Sequence, residues 1–190
     1  MEKELTPQQS LDVITSMIQQ AKGNMQRNSF YFLLWGWTIV IANLGVYVLL
    51  KFTDVADPYL MFMITIVAAI ISGVYGFKQG KQATVSTHLD SIYKWLWIGF
   101  GVNCFIFWFF GVKMGWQLSA IITSMCAVPT LLSGVLLKFK PLMVGGVVFW
   151  IFGALIFMVD TETQFLLAAA AVTFGYLVPG YMLRKSDKHA

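Results

Sequence analysis

The chain has 190 residues, of which 58% are hydrophobic and only 12% charged, with a formal net charge of +4. A water-soluble domain carries roughly 25% charged residues, so this chain lacks the polar material to cover a folded surface, and its apolar excess calls for lipid as solvent. The same numbers exclude a disordered chain, a disulfide-stapled module and a nucleic-acid binder, because the small charge is dispersed and there are two cysteines.

In chain order, residues 1–29 are expected to form a cytoplasmic amphipathic entry helix. Leu11, Ile14, Ile18, Ala21 and Met25 recur at spacings of three and four, which places them on one helical face. Thr6 is a suitable N-cap, Pro7 suits the first helical position, and Gln9 completes a capping-box pattern. The segment is neutral overall, a weak electrostatic anchor for anionic lipid. Its apolar stripe either packs against the membrane domain or docks a cytoplasmic protein or a second copy of the chain. With no apolar h-region ahead of it, the first span is expected to serve as an uncleaved signal anchor.

Six charge-free runs follow, at 28–50, 58–77, 95–112, 114–137, 141–159 and 163–183. Each meets the length of about 20 residues, within its usual range, that a helix needs to cross a bilayer. Stretches such as 64–71 are apolar on every side, which excludes the alternating pattern of a membrane barrel. The expected fold is an all-α integral membrane protein: six transmembrane helices in a domain spanning 30–183, arranged as three parallel hairpins at about 30–77, 92–137 and 141–183. A basic cytoplasmic tail, 184–190, ends the chain. Of the 13 Lys and Arg residues, all but Lys51 and Lys113 fall on one side of these spans, which puts both termini in the cytoplasm.

Helices 1 and 3 share a pattern. Trp35-x-Trp37 followed by Asn43 recurs as Trp95-x-Trp97 followed by Asn103, at a constant offset of 60. In the partner helices Ser72-Gly73-Val74 recurs as Ser133-Gly134-Val135, each shortly before a lysine. Fixed-offset similarity points to a duplicated hairpin of about 60 residues. Helix 5 departs from the pattern, with Gly145-Gly146 and Trp150 instead.

Four features are candidates for function. The indoles of Trp35, Trp37, Trp95 and Trp97 read as interfacial and packing residues, or as the wall of a hydrophobic-ligand site. Asn43 and Asn103 must hydrogen-bond if they lie in hydrocarbon, and read as interhelical glue or as a shared polar binding spot. Ala69-xxx-Gly73 and Ala171-xxx-Gly175 permit close helix approach. Pro129 and Pro179 remove the bonds to the carbonyls of Met125 and Gly175 and should kink helices 4 and 6. Cys104 and Cys126 are expected to be free, packed thiols.

No Asp, Glu, Lys, Arg or His lies inside the six runs, and the sequence carries no metal-ligating or P-loop pattern. No cofactor and no enzymatic activity are expected. The opening, Thr6-Pro7-Gln8-Gln9-Ser10-Leu11, then Asn28-Ser29-Phe30 and Leu33-Leu34-Trp35-Gly36-Trp37, resembles that of small multi-spanning bacterial inner-membrane proteins. The three-hairpin layout is similar in a general way to HdeD-type acid-resistance membrane proteins. These resemblances imply a bacterial inner-membrane location and carry over no catalytic or binding residue. The leading expectation is a non-enzymatic scaffold or regulatory component. The alternatives are an uncoupled facilitator using Asn43, Asn103, Thr123, Ser124 and Thr130, and a lipid-handling protein using the Trp rows. Topology reporters fused after Lys140 and after Ala190 should both read cytoplasmic; an external reading at Ala190 would contradict the six-span count.

Overall fold

The computed structural model describes residues 7–82, 88–111 and 117–189, with side chains described for these except at 7, 9–28, 80, 82, 88–90 and 186–189. Among the described residues the fold is all helical. Helix α1 runs without interruption from Pro7 to Phe52. The change of composition near residue 29 therefore falls inside one helix of about 69 Å at 1.5 Å per residue, and the entry helix is continuous with the first apolar segment. Pro7 opens this helix, as its fixed φ allows. Thr6, and the side chains of Gln9, Leu11, Ile14, Ile18, Ala21 and Met25, lie outside the described residues.

A 3-10 turn, Pro58–Met63, leads into α2, Ile64–Gln82. Then come α3, His88–Phe109, and α4, Leu118–Leu136. Helix α5 covers Lys140–Ile156 and α6 covers Thr161–Val172; a π-helical turn, Thr173–Leu177, joins α6 to α7, Val178–His189. Five segments are long and apolar enough to cross a membrane: Ser29–Phe52, Pro58–Gln79, Ser91–Phe109, Leu118–Leu136 and Thr161–Lys185. The fifth expected span, Lys140–Ile156, is a shorter apolar helix of 17 residues.

Two end structures show why the helices stop where they do. Asp160 caps α6, its carboxylate accepting from Thr163 N at 3.1 Å and Thr163 Oγ1 at 2.8 Å. Those bonds hold its carboxyl below the ordinary range. At the end of α4, Lys138 sits at φ 52°, while Phe139 N donates to Gly134 O and Lys138 N to Val135 O. This is a Schellman closure with lysine where glycine is usual.

Neighbours in sequence are only some of the closest pairs in space. Helix α4 packs most extensively on α5, and α1 on α6 with its continuation into the π turn and α7; α2 rests on α1, and α3 rests chiefly on α4. Glycines explain the tight pairs. An added Cβ at Gly146 would sit 2.7 Å from Leu131 Cβ and 2.9 Å from Ala127 O, and one at Gly153, seven residues on and on the same face, would collide with Ser124. Gly145 turns the other way, where an added Cβ would lie 2.5 Å from Gly175 O. In contrast α2 and α3 are barely covered: 6% and 0% of their apolar windows are buried, against 33–56% for the other three.

Proline has a different outcome at the two expected kinks. Pro129 is buried within α4, which continues through it. Pro179 follows the π turn, in which Val178 N donates to Thr173 O, five residues back. The widened turn accommodates a residue that has no N–H for Gly175 O and whose ring would press on that carbonyl. Gly175 O comes close to Gly145, where an added Cβ would lie 2.5 Å away, the geometry of a Cα–H···O contact.

Of the two small-residue pairs, Ala171 and Gly175 are buried, whereas Ala69 and Gly73 are exposed. A Cβ added at Gly73 meets nothing within 4 Å. Replacing Gly145 by Leu should thus lower stability by about 1–3 kcal/mol, an overpacking loss. The same change at Gly73 should stay within about 0.5 kcal/mol. Equilibrium unfolding in mixed micelles checks both, and equal effects would contradict the packing described.

Candidate functional site

Two places bring the expected residues together: an aromatic cluster at the end of the bundle that carries Lys94, Arg184 and Lys185, and a groove beside it. The cluster centres on Tyr176 in the π turn. Its ring lies 5.5 Å from Phe32 of α1, 6.2 Å from Trp97 of α3 and 4.8 Å from Phe149 of α5, so four chain segments meet there. Trp97 also contacts Phe32, Phe100 and Tyr93 edge-on or tilted, the arrangements aromatic quadrupoles favour. Gly175 makes room for this, since an added Cβ would lie 2.5 Å from the Phe149 ring.

The four tryptophans divide by environment. Trp35 Nε1 donates to Ser72 Oγ at 3.0 Å and Trp97 Nε1 to Ser133 Oγ at 3.2 Å, tying α1 to α2 and α3 to α4. The sequence offset aligns Trp35 with Trp95, yet the equivalent bond is made by Trp97. Helix α3 is therefore turned so that Trp95 faces outward, at 65% exposure. Trp37 is also exposed, and its Nε1 donates to Tyr181 OH of α7 at 2.9 Å.

The two asparagines also part company. Asn43 is buried and Asn103 exposed, and each donates its Nδ2 to the carbonyl four residues back in its own helix, Ile39 O at 2.8 Å and Gly99 O at 2.9 Å. Neither bond crosses between helices, so the described amide bonds are local rather than interhelical. Thr130 likewise donates to Cys126 O at 2.6 Å, and Ser124 is pressed against Gly153. The hydroxyls and amides named for a polar path are thus largely turned to their own helices. Cys104 and Cys126 are free thiols.

Sequence reasoning missed two buried polar groups. Among the described residues Tyr176 OH is buried with no partner in hydrogen-bonding geometry, although the Thr130 hydroxyl and the Cys126 thiol lie near it. Gln164 is buried at the opposite end of α6, where its Nε2 donates weakly to Val159 O at 3.4 Å and its Oε1 has no partner. The only sequence signal for Tyr176 was its position three residues before Pro179.

The groove lies between α3 and α4. Trp95, Leu96, Gly99, Phe100 and Asn103 line it on one side and Met125, Val128 and Pro129 on the other, around about 440 Å³ open to the exterior. Its lining carries no ionisable side chain. Among the described residues no three His, Cys, Asp or Glu side chains converge. The chemistry available in both places is therefore shape, aromatic contact and hydrogen bonding. Comparison with protein-family models, curated proteins and solved structures finds no match.

An orphaned hydroxyl gives a sharp test of the cluster. Tyr176→Phe should hold or raise stability, by up to about 1–3 kcal/mol, since it deletes an unsatisfied buried group. Ser133→Ala should lower stability by about 1 kcal/mol through loss of the Trp97 bond. Unfolding in micelles separates the two; a loss for Tyr176→Phe would mean that the hydroxyl is bonded.

Proposed function

We propose that this chain is an integral protein of the bacterial inner membrane that acts as a non-enzymatic scaffold or regulatory component. It crosses the bilayer six times as three parallel hairpins, with both termini in the cytoplasm. The observation that carries this reading is the contrast between a glycine-packed centre and two uncovered helices. Helices α4 and α5 and the π turn approach closely at Gly145, Gly146, Gly153 and Gly175, whereas Ile66, Ile70, Val74 and Phe77 of α2 and Val102, Phe105, Ile106 and Phe109 of α3 are exposed. A rigid core with two apolar wings suits assembly in the bilayer plane, where helix association depends on contact surface rather than on escape from water.

The 17-residue α5 spans with one face buried against α4 and the π turn, its shortness offset by local thinning of the bilayer and by the basic Lys138 and Lys140 at its start. The long α1 extends from the first span into the cytoplasm and carries the stripe Leu11, Ile14, Ile18, Ala21 and Met25 toward a cytoplasmic partner. The paired Trp–Ser bonds support descent of the first two hairpins from one ancestor, with α3 turned about its axis. The facilitator reading is weakened by the local bonding of Asn43, Asn103 and Thr130.

Site-specific photo-crosslinking tests the scaffold reading in intact membranes. A crosslinking residue at Ile70 or Val102 should give discrete protein adducts of defined mass, absent when the residue replaces buried Phe149. Adducts to lipid alone at both exposed sites would contradict it.

A further inference from the structure

We propose that the groove between α3 and α4 is a binding site for one anionic phospholipid, its headgroup held by Lys94 and Lys138 and one acyl chain lying along Gly99. This site does not depend on the scaffold reading.

The groove has the dimensions of a single leaflet. From Trp95 to Asn103 α3 rises about 12 Å, close to half of a hydrocarbon core of about 30 Å. It begins next to Lys94 and ends just past the middle of the span Ser91–Phe109, so one end meets the headgroup region and the other the bilayer centre. Its walls suit an acyl chain. A Cβ added at Gly99 meets nothing within 4 Å, which leaves an open trough at the level of Phe100 and Pro129. Asn103, the one polar side chain deep in the groove, turns its amide to Gly99 O and so presents little unsatisfied polarity to hydrocarbon.

Charge selects the headgroup. Lys94 directly precedes Trp95, and Lys138 lies two residues beyond the end of α4, the antiparallel partner in which Ser133 sits level with Trp97. Both lysines are exposed, and Lys140 follows at the same end. Trp95 is exposed, which leaves its indole N–H at headgroup level within reach of a phosphate or ester oxygen. Two lysines and an indole donor at the mouth of an apolar trough complement a negatively charged lipid. A second copy of this chain is a poorer occupant, because shared membrane orientation would bring the same lysines against one another at the same depth.

Native mass spectrometry of the purified full chain in detergent tests the site with two probes of identical palmitoyl and oleoyl chains, phosphatidylglycerol and phosphatidylcholine. One phosphatidylglycerol should stay bound at collision energies that strip phosphatidylcholine. Lys94→Gln with Lys138→Gln should remove that preference and reduce phosphatidylglycerol retention by about 25-fold, following from about fivefold per lysine. These exposed helix-end substitutions leave the helical core untouched. Gly99→Leu should fill the trough and reduce retention of both lipids, while Gly73→Leu, at an equally open position on α2, should behave as the unmodified chain. Equal retention of the two lipids by the unmodified chain would overturn the proposal, as would wild-type retention in Gly99→Leu or equal losses in Gly73→Leu and Gly99→Leu.

Discussion

The arrangement of the bundle turns on one carbonyl. Pro179 has no N–H to give Gly175 O, and the π turn from Thr173 to Leu177 carries that oxygen toward α5. It can come close only because residue 145 is glycine, where a Cβ would lie 2.5 Å away. Between helices as apolar as these, van der Waals contact and weak Cα–H···O bonds at close backbone approach favour particular pairings. Gly145 and Gly175 seat α5 against the π turn, Gly146 and Gly153 seat its other face on α4, and Phe149 and Tyr176 fill the space that remains.

From that centre the remaining helices are held by fewer and more specific contacts. Helix α1 joins through Phe32 and through Gly36, whose missing side chain admits Leu177. Helices α2 and α3 are each tied by one indole to one serine, Trp35 to Ser72 and Trp97 to Ser133. These partly buried bonds orient two helices that bury almost none of their apolar surface. The result is a graded structure, close-packed inside and loosely flanked outside, with the α3–α4 groove lying where the flank meets the core.

The apolar helices were legible because charged residues punctuate the sequence between them, although the run 141–159 became a helix of only 17 residues, Lys140–Ile156. The run 58–77 became Pro58–Gln79, and 163–183 became Thr161–Lys185. The partners of each helix were only partly legible. The hairpin layout pairs α1 with α2 and α3 with α4; α3 does rest chiefly on α4, but α1 lies more on α6, the π turn and α7, and a glycine pattern does not say which helix it faces. The rotation of α3 was hidden for a similar reason: two tryptophans two residues apart point to nearly opposite sides, so one repeat motif fits two orientations. Pro179 marked the place of the π turn without revealing that it would bury Tyr176. The continuity of α1 was missed because the change of polarity at residue 29 was read as a boundary, though no glycine or proline interrupts the backbone there.

The central claim is that α1 lies against the π turn joining α6 to α7 rather than chiefly on its neighbour α2. A Cβ added at Gly36 falls 3.5 Å from Tyr176 Cβ, within the range of a disulfide. In a chain with Cys104 and Cys126 replaced by Ala, Gly36→Cys combined with Tyr176→Cys should oxidise in native membranes to an intramolecular disulfide, seen as loss of both thiols to alkylation. Persistent labelling of both thiols, with ready cross-linking of Gly36→Cys to Ser72→Cys instead, would contradict the account.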